Sequence, residues 1–232
     1  MKIAVISDIH ANIYALISTL ENIDNEKVDT IICLGDLVGY GPTPNETVAM
    51  IRRRNIICLK GNYDASVVEN EFSYIRETPI NSFSLPWTYN ELRFENKHYL
   101  ENLPSSFTLN AGGKKILFVH GSPSKINEYL YIDEKNTADA LLSIDEDALV
   151  CAHTHIPGSK QINNKIYINC GSVGKPKIGR PNSTYSLIEI DKTGKLTVQT
   201  KELKYEVKKI IKDMTMLKFP SALIQSFETG LE

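Results

Sequence analysis

The stretch KIAVISDIHAN, Lys2–Asn12, decides the fold. Its opening run KIAVIS is short, mostly apolar and rich in β-branched residues, which reads as a buried strand. Beyond it, Ile13, Leu16, Ile17 and Leu20 recur at helical spacing. The pattern then repeats. TIICLGD is a second apolar run, and TPNETVAMIRRR opens a helix with Thr43 as cap, Pro44 in the first turn and Glu46 completing a capping box. NIICLKGN is a third strand, ending at Asn62. Strand, helix, strand, helix, strand implies parallel pairing with helical crossovers.

Working outward, residues 65–103 read as a helical insertion carrying the only tryptophan, Trp87, and ending at Leu103-Pro104. The remainder is rich in strands: SSFTLN, KKILFVHG, ALVCAHTH, KIYINCGS, TYSLIEID and KLTVQTKELKY, with TADALLSI helical among them. A tail from about residue 206 starts as a helix at VKKIIKDM. Residues 1–232 are therefore expected to form one α/β domain with two face-to-face sheets, one more parallel and one more antiparallel, and helices outside.

Composition narrows the function classes. Of 232 residues, 42% are hydrophobic and 23% charged, an ordinary globular balance with enough chain for a sizeable core. A formal charge of −2 leaves no basic footprint, which sets nucleic acid aside as a partner. No apolar stretch approaches a membrane span, and the N-terminal run is too short for a signal peptide. Cys33, Cys58, Cys151 and Cys170 form no CxxC pair, and the first three sit in strand-like runs as reduced, buried thiols. A cytoplasmic protein is expected.

Four of the five histidines, His10, His120, His153 and His155, fall at the ends of apolar runs, beside Asp, Gly or another His. Asp8, Asp36 and Asn62 end the first three runs. In α/β sheets, sites form at the carboxyl ends of parallel strands, so these seven nitrogen and oxygen ligands are expected to converge on one rim. In an extended segment residues i and i+2 face one side, so Asp8 and His10 can reach one ion, as can His153 and His155. Asp36 is the natural anionic bridge between two ions. A cysteine-free set of carboxylate, imidazole and amide suits Mn²⁺, Fe or catalytic Zn²⁺, not a structural zinc site.

Taken in order, SDIH, LGDLVGYG, KGNYD, FVHGSP and AHTH resemble the calcineurin-like metallophosphoesterases over residues 2–190. GDLVGYGPTPNETV, WTYNELRFENKHYLENLP and INCGSVGKP further resemble the bacterial and archaeal diadenosine tetraphosphatase-like branch, also called phosphodiesterase-like. The resemblance implies a four-layer αββα sandwich with two mixed β-sheets flanked by helices. It implies two divalent ions, Mn²⁺ or Fe first, with Zn²⁺ or Ni²⁺ as alternatives. One would be held by Asp8, His10, Asp36 and His155, the other by Asp36, Asn62, His120 and His153. A bridging hydroxide would attack phosphorus in a small, nucleotide-like phosphate substrate. The expected activity is hydrolysis of a dinucleoside polyphosphate or a phosphodiester. Alternatives are a phosphomonoesterase or protein phosphatase, a nuclease, and a non-catalytic metal-binding scaffold. A homo-oligomer is left open.

The family motif usually reads Gly-Asn-His-Asp, and its histidine is the proposed proton donor, oriented by the aspartate; here Tyr63 stands between Asn62 and Asp64. Asn62, Tyr63 and Asp64 are thus the catalytic candidates. Tyrosine is a poorer acid than histidine near neutral pH, with an unperturbed pKa of about 10 against about 6.5. Substrates with good leaving groups need the proton least, which favours phosphoanhydrides and activated diesters. Tyr63 as a mere filler of the histidine's space is the even alternative. Tyr40, in VGYGPTPN, is weighed as a stacking partner for a base, and Arg180, in GSVGKPKIGRP, as a phosphate clamp. Asn62 also counts as a substrate contact. Lys175 and Lys177 read first as solvated loop charges, Arg52–Arg54 as a helix end, and His98 as a histidine of the insertion.

Overall fold

The computed structural model describes residues 1–231. One sheet has the order β10-β9-β1-β2-β3, built from β1 (Lys2–Ile6), β2 (Thr30–Cys33), β3 (Ile57–Cys58), β9 (Ser183–Ile190) and β10 (Leu196–Leu203). The other has the order β4-β5-β6-β8-β7, built from β4 (Ser106–Ala111), β5 (Lys114–Val119), β6 (Ala148–Cys151), β7 (Gly158–Ile162) and β8 (Lys165–Asn169). In the first sheet β1-β2 and β2-β3 are parallel while β1-β9 and β9-β10 are antiparallel. In the second, β5-β6 and β6-β8 are parallel while β4-β5 and β7-β8 are antiparallel. Both sheets are mixed, as the resemblance implied, and equally so, with two parallel and two antiparallel pairings each rather than one sheet more parallel than the other. In the first sheet the parallel strands β1, β2 and β3 form one half, joined by crossovers, and the β9-β10 hairpin forms the other edge; in the second the parallel strands are central and hairpins close both edges.

Side-chain alternation sorts the strands into layers. In β1, Ile3 and Val5 face the space between the sheets while Ala4 and Ile6 face the helices. In β6, Ala148 and Val150 face the first sheet, and Leu149 and Cys151 face outward. The inter-sheet layer adds Ile32, Leu34, Phe118, Ile168, Ile188 and Ile190. On the outer side of the first sheet lie α1 (Ile13–Asn25), α2 (Pro44–Arg53), α3 (Asn62–Glu69), α4 (Pro79–Glu91) and α5 (Phe94–Glu101). Against the second sheet lies α6 (Lys135–Ser143) through Leu141. The result is the αββα sandwich that the motif order implied. All four cysteines are buried and free.

Several local readings change. β7 was not expected, because GSKQI has exposed polar residues at its centre; it is an edge strand paired only to β8. Thr43 caps α2 in position but makes no side-chain capping bond. Its hydroxyl instead donates to the Ala11 carbonyl at 2.6 Å and accepts the Ile13 N–H at 3.1 Å, so the expected box with Glu46 is replaced by a tie between α2 and the loop after β1. The tail forms α7 (Val207–Met216) and α8 (Ser221–Thr229), docked on α4 where Phe219 meets Phe83 and Trp87 at ring separations of 5.0 and 4.7 Å. Trp87 is thus packing between insertion and tail. Among the described residues no helix is long and apolar enough to cross a membrane.

Helix α6 offers an internal test of the layer assignment. Leu141 is fully buried, whereas its neighbour Leu142 is 46% exposed. Leu141→Ala is expected to lower unfolding free energy by about 2–5 kcal/mol, and Leu142→Ala to stay within about 0.5 kcal/mol, by urea titration.

Candidate metal centre and active site

Every ligand candidate follows a strand that has a parallel neighbour. Asp8 and His10 lie just beyond β1, Asp36 beyond β2, His120 beyond β5, and His153 and His155 beyond β6. Asn62 does not end β3, as its sequence context suggested, but opens α3. Both rims meet at one place. Asp8, His10 and His155 form one buried group able to hold an ion, and Asp36, His120 and His153 form a second. His153 and His155 therefore part to different groups, against the expectation that their spacing would bring them to one ion and in agreement with the resemblance.

The backbone at these positions is not extended. Asp8, His10, Asp36, His153 and His155 have φ of 50°, 47°, 51°, 63° and 61°. These are left-handed conformations, not the extended ones assumed above, and non-glycine residues adopt them rarely. The turns are held by interlaced hydrogen bonds. Asp8 N–H donates to the Gly35 carbonyl at 3.0 Å, and the Ile9 and His10 N–H groups converge on the Asp36 carbonyl at 2.9 and 3.0 Å. Asp64, fully buried, completes the brace: its carboxylate accepts N–H bonds from Leu37, Val38 and Gly61 at 2.9, 3.3 and 2.9 Å. A Cβ on Gly61 would stand 2.1 Å from Oδ1 of Asp36, so glycine is required where the two loops touch.

The imidazoles are aimed by their second nitrogens. Nδ1 of His10 lies 3.1 Å from the Val38 carbonyl, Nδ1 of His120 lies 2.9 Å from the Leu34 carbonyl, and Nδ1 of His155 contacts the Lys175 carbonyl. Nδ1 as donor to a carbonyl leaves Nε2 to face the cluster. The Nε2 atoms of His10 and His155 approach each other at 3.3 Å, and the latter is 3.2 Å from Oδ1 of Asp8. Asp36 is divided between roles. Oδ1 accepts the Tyr63 N–H at 2.7 Å, while Oδ2 lies 3.6 Å from Nε2 of His10 and 3.5 Å from Nε2 of His120. Asn62 joins through Oδ1, 2.9 Å from Nε2 of His120.

Two buried atoms test whether cations fit. Oδ1 of Asp8 and Nε2 of His153 have no hydrogen-bond partner. Buried acceptors left unpaired are costly, and both aim into the cluster, as metal ligands do. The electrostatics agree. Burial works against a charged carboxyl at Asp8, but His155 beside it outweighs that and holds the group well below its usual range. Burial and then His120 push His153 down to about 3, keeping its lone pair free. Burial opposes charge on His120, yet Asp36 prevails and pushes it up to about 9. Burial and then Asp36 push Asp64 up to about 7.

The other candidates divide. Tyr63 is buried; its hydroxyl donates to Oδ1 of Asn81 on α4, and its ring meets His10 edge-on at 5.3 Å. Burial, with Tyr40 next, pushes the phenol well above its ordinary value. Asp64, expected to orient the side chain at 63, instead grips backbone. Tyr40 is at the site, its ring 4.8 Å from that of His10, and Nζ of Lys175 lies 4.8 Å above it. Arg180 is not brought to the cluster: its guanidinium pairs with both oxygens of Glu202 at 2.5 and 2.6 Å on the surface. A carboxylate 22 residues away in the chain captured it, which nothing in the loop's own composition signalled. His98 is an exposed residue of α5 stacked near Phe94. Sequence reasoning missed Tyr129, whose ring stacks 4.0 Å from His153. The alternation Tyr-Leu-Tyr in residues 129–131 was the available signal.

Residues 1–193 match the calcineurin-like phosphoesterase superfamily domain, and the chain belongs to that family of metal-dependent phosphohydrolases. It is 35% identical to the uncharacterized protein MJ0912 of Methanocaldococcus jannaschii, with 95% of each chain covered. It is 25% identical to the phosphodiesterase YfcE of Escherichia coli, over 82% of this chain and 89% of that one. The crystal structure of a metallophosphoesterase from Sphaerobacter thermophilus superposes with a TM-score of 0.82 at 30% identity, covering 100% of this chain and 99% of that one.

Asp36→Asn is expected to leave at most one tightly held ion per chain and to lower phosphoesterase activity more than about 100-fold, read by elemental analysis after gel filtration and by initial rates. Metal uptake should also release protons. In the metal-free protein His120 keeps its second proton until about pH 9, so a cation must displace it at pH 7. Mn²⁺ affinity is expected to rise from pH 7 to 9 by up to about tenfold per pH unit, with proton release seen by calorimetry in buffers of different ionisation enthalpy.

Proposed function

We propose that the chain is a dinuclear metal-dependent phosphohydrolase acting on phosphoanhydrides and phosphodiesters with good leaving groups, dinucleoside polyphosphates foremost. The observation that carries this reading is Tyr63. Its phenol is spent on Asn81 and its environment favours the protonated form, so it stands as a neutral donor rather than a ready acid. His98 is the one histidine outside the ligand set, and it lies on the surface. A leaving group that departs without a proton suits such a site. The named activity of the relative YfcE, a phosphodiesterase, points the same way.

In this reading Asp8, His10, Asp36 and His155 hold one ion, and Asp36, Asn62, His120 and His153 the other. Ions held there, Mn²⁺ or Fe first and Zn²⁺ or Ni²⁺ as alternatives, would supply charge for the phosphoryl oxygens and a nucleophile from water. The chain's residues do the rest. Asn62 sits at the edge of the second group, and with Nδ2 held by the Tyr74 carbonyl at 3.3 Å its Oδ1 is turned toward His120, as a ligand of the second ion would be. Lys175, nearly buried, adds positive charge beside Tyr40, which suits the polyphosphate better than a neutral group. Four buried, free thiols and the soluble-type composition support a cytoplasmic setting.

The test is a hydrolysis panel on Mn²⁺-loaded protein with diadenosine tetraphosphate, bis-(p-nitrophenyl) phosphate, p-nitrophenyl phosphate and an alkyl phosphate ester. Turnover is expected on the first two and little on the alkyl ester. The reverse order would overturn the reading. Tyr63→His is expected to raise turnover on the alkyl ester by about 10-fold or more and to change the anhydride much less. A uniform change across leaving groups would assign Tyr63 to packing instead.

A further inference from the structure

The segment that leads from β5 to α6 carries Tyr129, Leu130 and Tyr131 in an alternating arrangement. Leu130 is 1% exposed and locked into the outer core of the second sheet with Leu141 and Tyr167. Leu130 is turned inward, and the residues on either side of it come together outside that core. Their rings are parallel within 5°, with centroids 5.9 Å apart. The backbone is pinned independently of those rings. The Tyr129 carbonyl accepts from Nδ2 of Asn136 at 3.0 Å, the Leu130 carbonyl from the Tyr167 hydroxyl, and the Tyr131 carbonyl from the Thr137 hydroxyl at 2.6 Å. Tyr129 then stacks 4.0 Å from His153. The outcome is a row of three rings, His153, Tyr129 and Tyr131, running from a ligand of the metal centre to solvent, where Tyr131 is 39% exposed.

We infer that this row is a subsite for a planar aromatic group borne by the substrate, a nucleobase or an aryl ester, whose phosphorus lies at the metal centre. The inference rests on the phosphohydrolase reading for where the phosphate sits. It assigns the organic part to the side of the second sheet, through Tyr129 and Tyr131, rather than to Tyr40. Three features make the row a recognition surface rather than filler. The two tyrosine rings are parallel and Tyr129 is inclined 30° to His153, and the backbone is anchored before any ligand arrives, so little ordering is left to binding. The row is contiguous with a metal ligand, so a group attached to phosphorus falls on it. Its outer ring is open to solvent, whereas Tyr63 and Tyr167 are buried. Stacking on such a surface is tolerant of base identity, because every base has a π-face. Selection is therefore for aromatic against aliphatic, not for one base against another.

The experiment measures binding, so it stands apart from turnover. Mn²⁺-loaded wild type, Tyr131→Phe, Tyr131→Leu and Tyr131→Ala are titrated by calorimetry with adenosine 5′-monophosphate and with ribose 5-phosphate. Wild type is expected to prefer the adenosine compound by about fivefold or more, the lower end of what one base stacked on a ring supplies. Tyr131→Phe should keep the preference, and Tyr131→Ala and Tyr131→Leu should lose most of it while binding ribose 5-phosphate as before. Equal affinities in wild type, or a preference that survives in both Tyr131→Leu and Tyr131→Ala, overturn the inference. A protein that turns over no phosphate substrate yet shows the preference would overturn the catalytic reading and leave the subsite standing.

Discussion

The structure depends on how one carboxylate, that of Asp36, is divided. Oδ1 is fixed by the Tyr63 N–H, and Oδ2 stands between the histidines of two ligand groups. Two unit charges about 4 Å apart at an effective dielectric near 20 already interact by about 4 kcal/mol, and doubly charged ions by four times that. A pair of cations is tolerable only with an anion between them. That anion must also be unable to swing toward one ion alone. The bond from Tyr63 provides this restraint, and Asp64 holds the two loops that carry donor and acceptor together. Burial, and Asp36 next to it, push Asp64 itself up to about 7.

The left-handed turns follow from the same demand. Each strand delivers its ligand at its carboxyl end, but two mixed sheets packed face to face would leave extended side chains alternating between core and helix layers. A turn through positive φ breaks that alternation and throws Asp8, His10, Asp36, His153 and His155 toward the common rim. Each such residue costs on the order of 1–3 kcal/mol. The interlaced bonds from the loop after β1 to the Gly35, Asp36 and Leu37 carbonyls offset it. Strain is thus located where the ligands are, and the regular strands behind them carry the stability.

This division also explains what could be read in the sequence. Short apolar runs ending in Asp or His made most strands, the rim and the six residues of the two buried groups legible, because strand ends are marked by composition and order. What was hidden depends on partners far away in the chain. Thr43 looks like a helix cap until the Ala11 carbonyl takes its hydroxyl. Arg180 looks like a phosphate clamp until Glu202 takes its guanidinium. Asp64 looks like the orienting group for residue 63, yet three backbone N–H groups claim its oxygens. Spacing placed Asp8 with His10, which share a group, and His153 with His155, which do not; both pairs are left-handed, so the extended-backbone argument held for neither. β7 lacked any alternation to find, being a polar edge.

Tyr63 brings the local and the distant together. Position 63 has one task that any residue except proline performs, giving its N–H to Asp36. Its side chain is therefore available for a second task, and a histidine there would serve chemistry. A phenol reaches further. It meets Asn81, whose Nδ2 in turn holds the Arg76 carbonyl, so the loop before α4 and the first turn of α4 are tied to the metal centre. Ser84, one turn on, accepts the Tyr40 N–H at 2.7 Å and fixes the other side of the same wall. Through Phe83 and Trp87, the same helix carries Phe219 and with it the α7–α8 tail. The tyrosine attaches the insertion to the site, which follows from the length of the side chain and the polarity of its tip. Under the proposed reading, such a site draws its rate from charge concentrated on phosphorus and from the leaving group the substrate brings, since the phenol at position 63 is engaged in holding the wall.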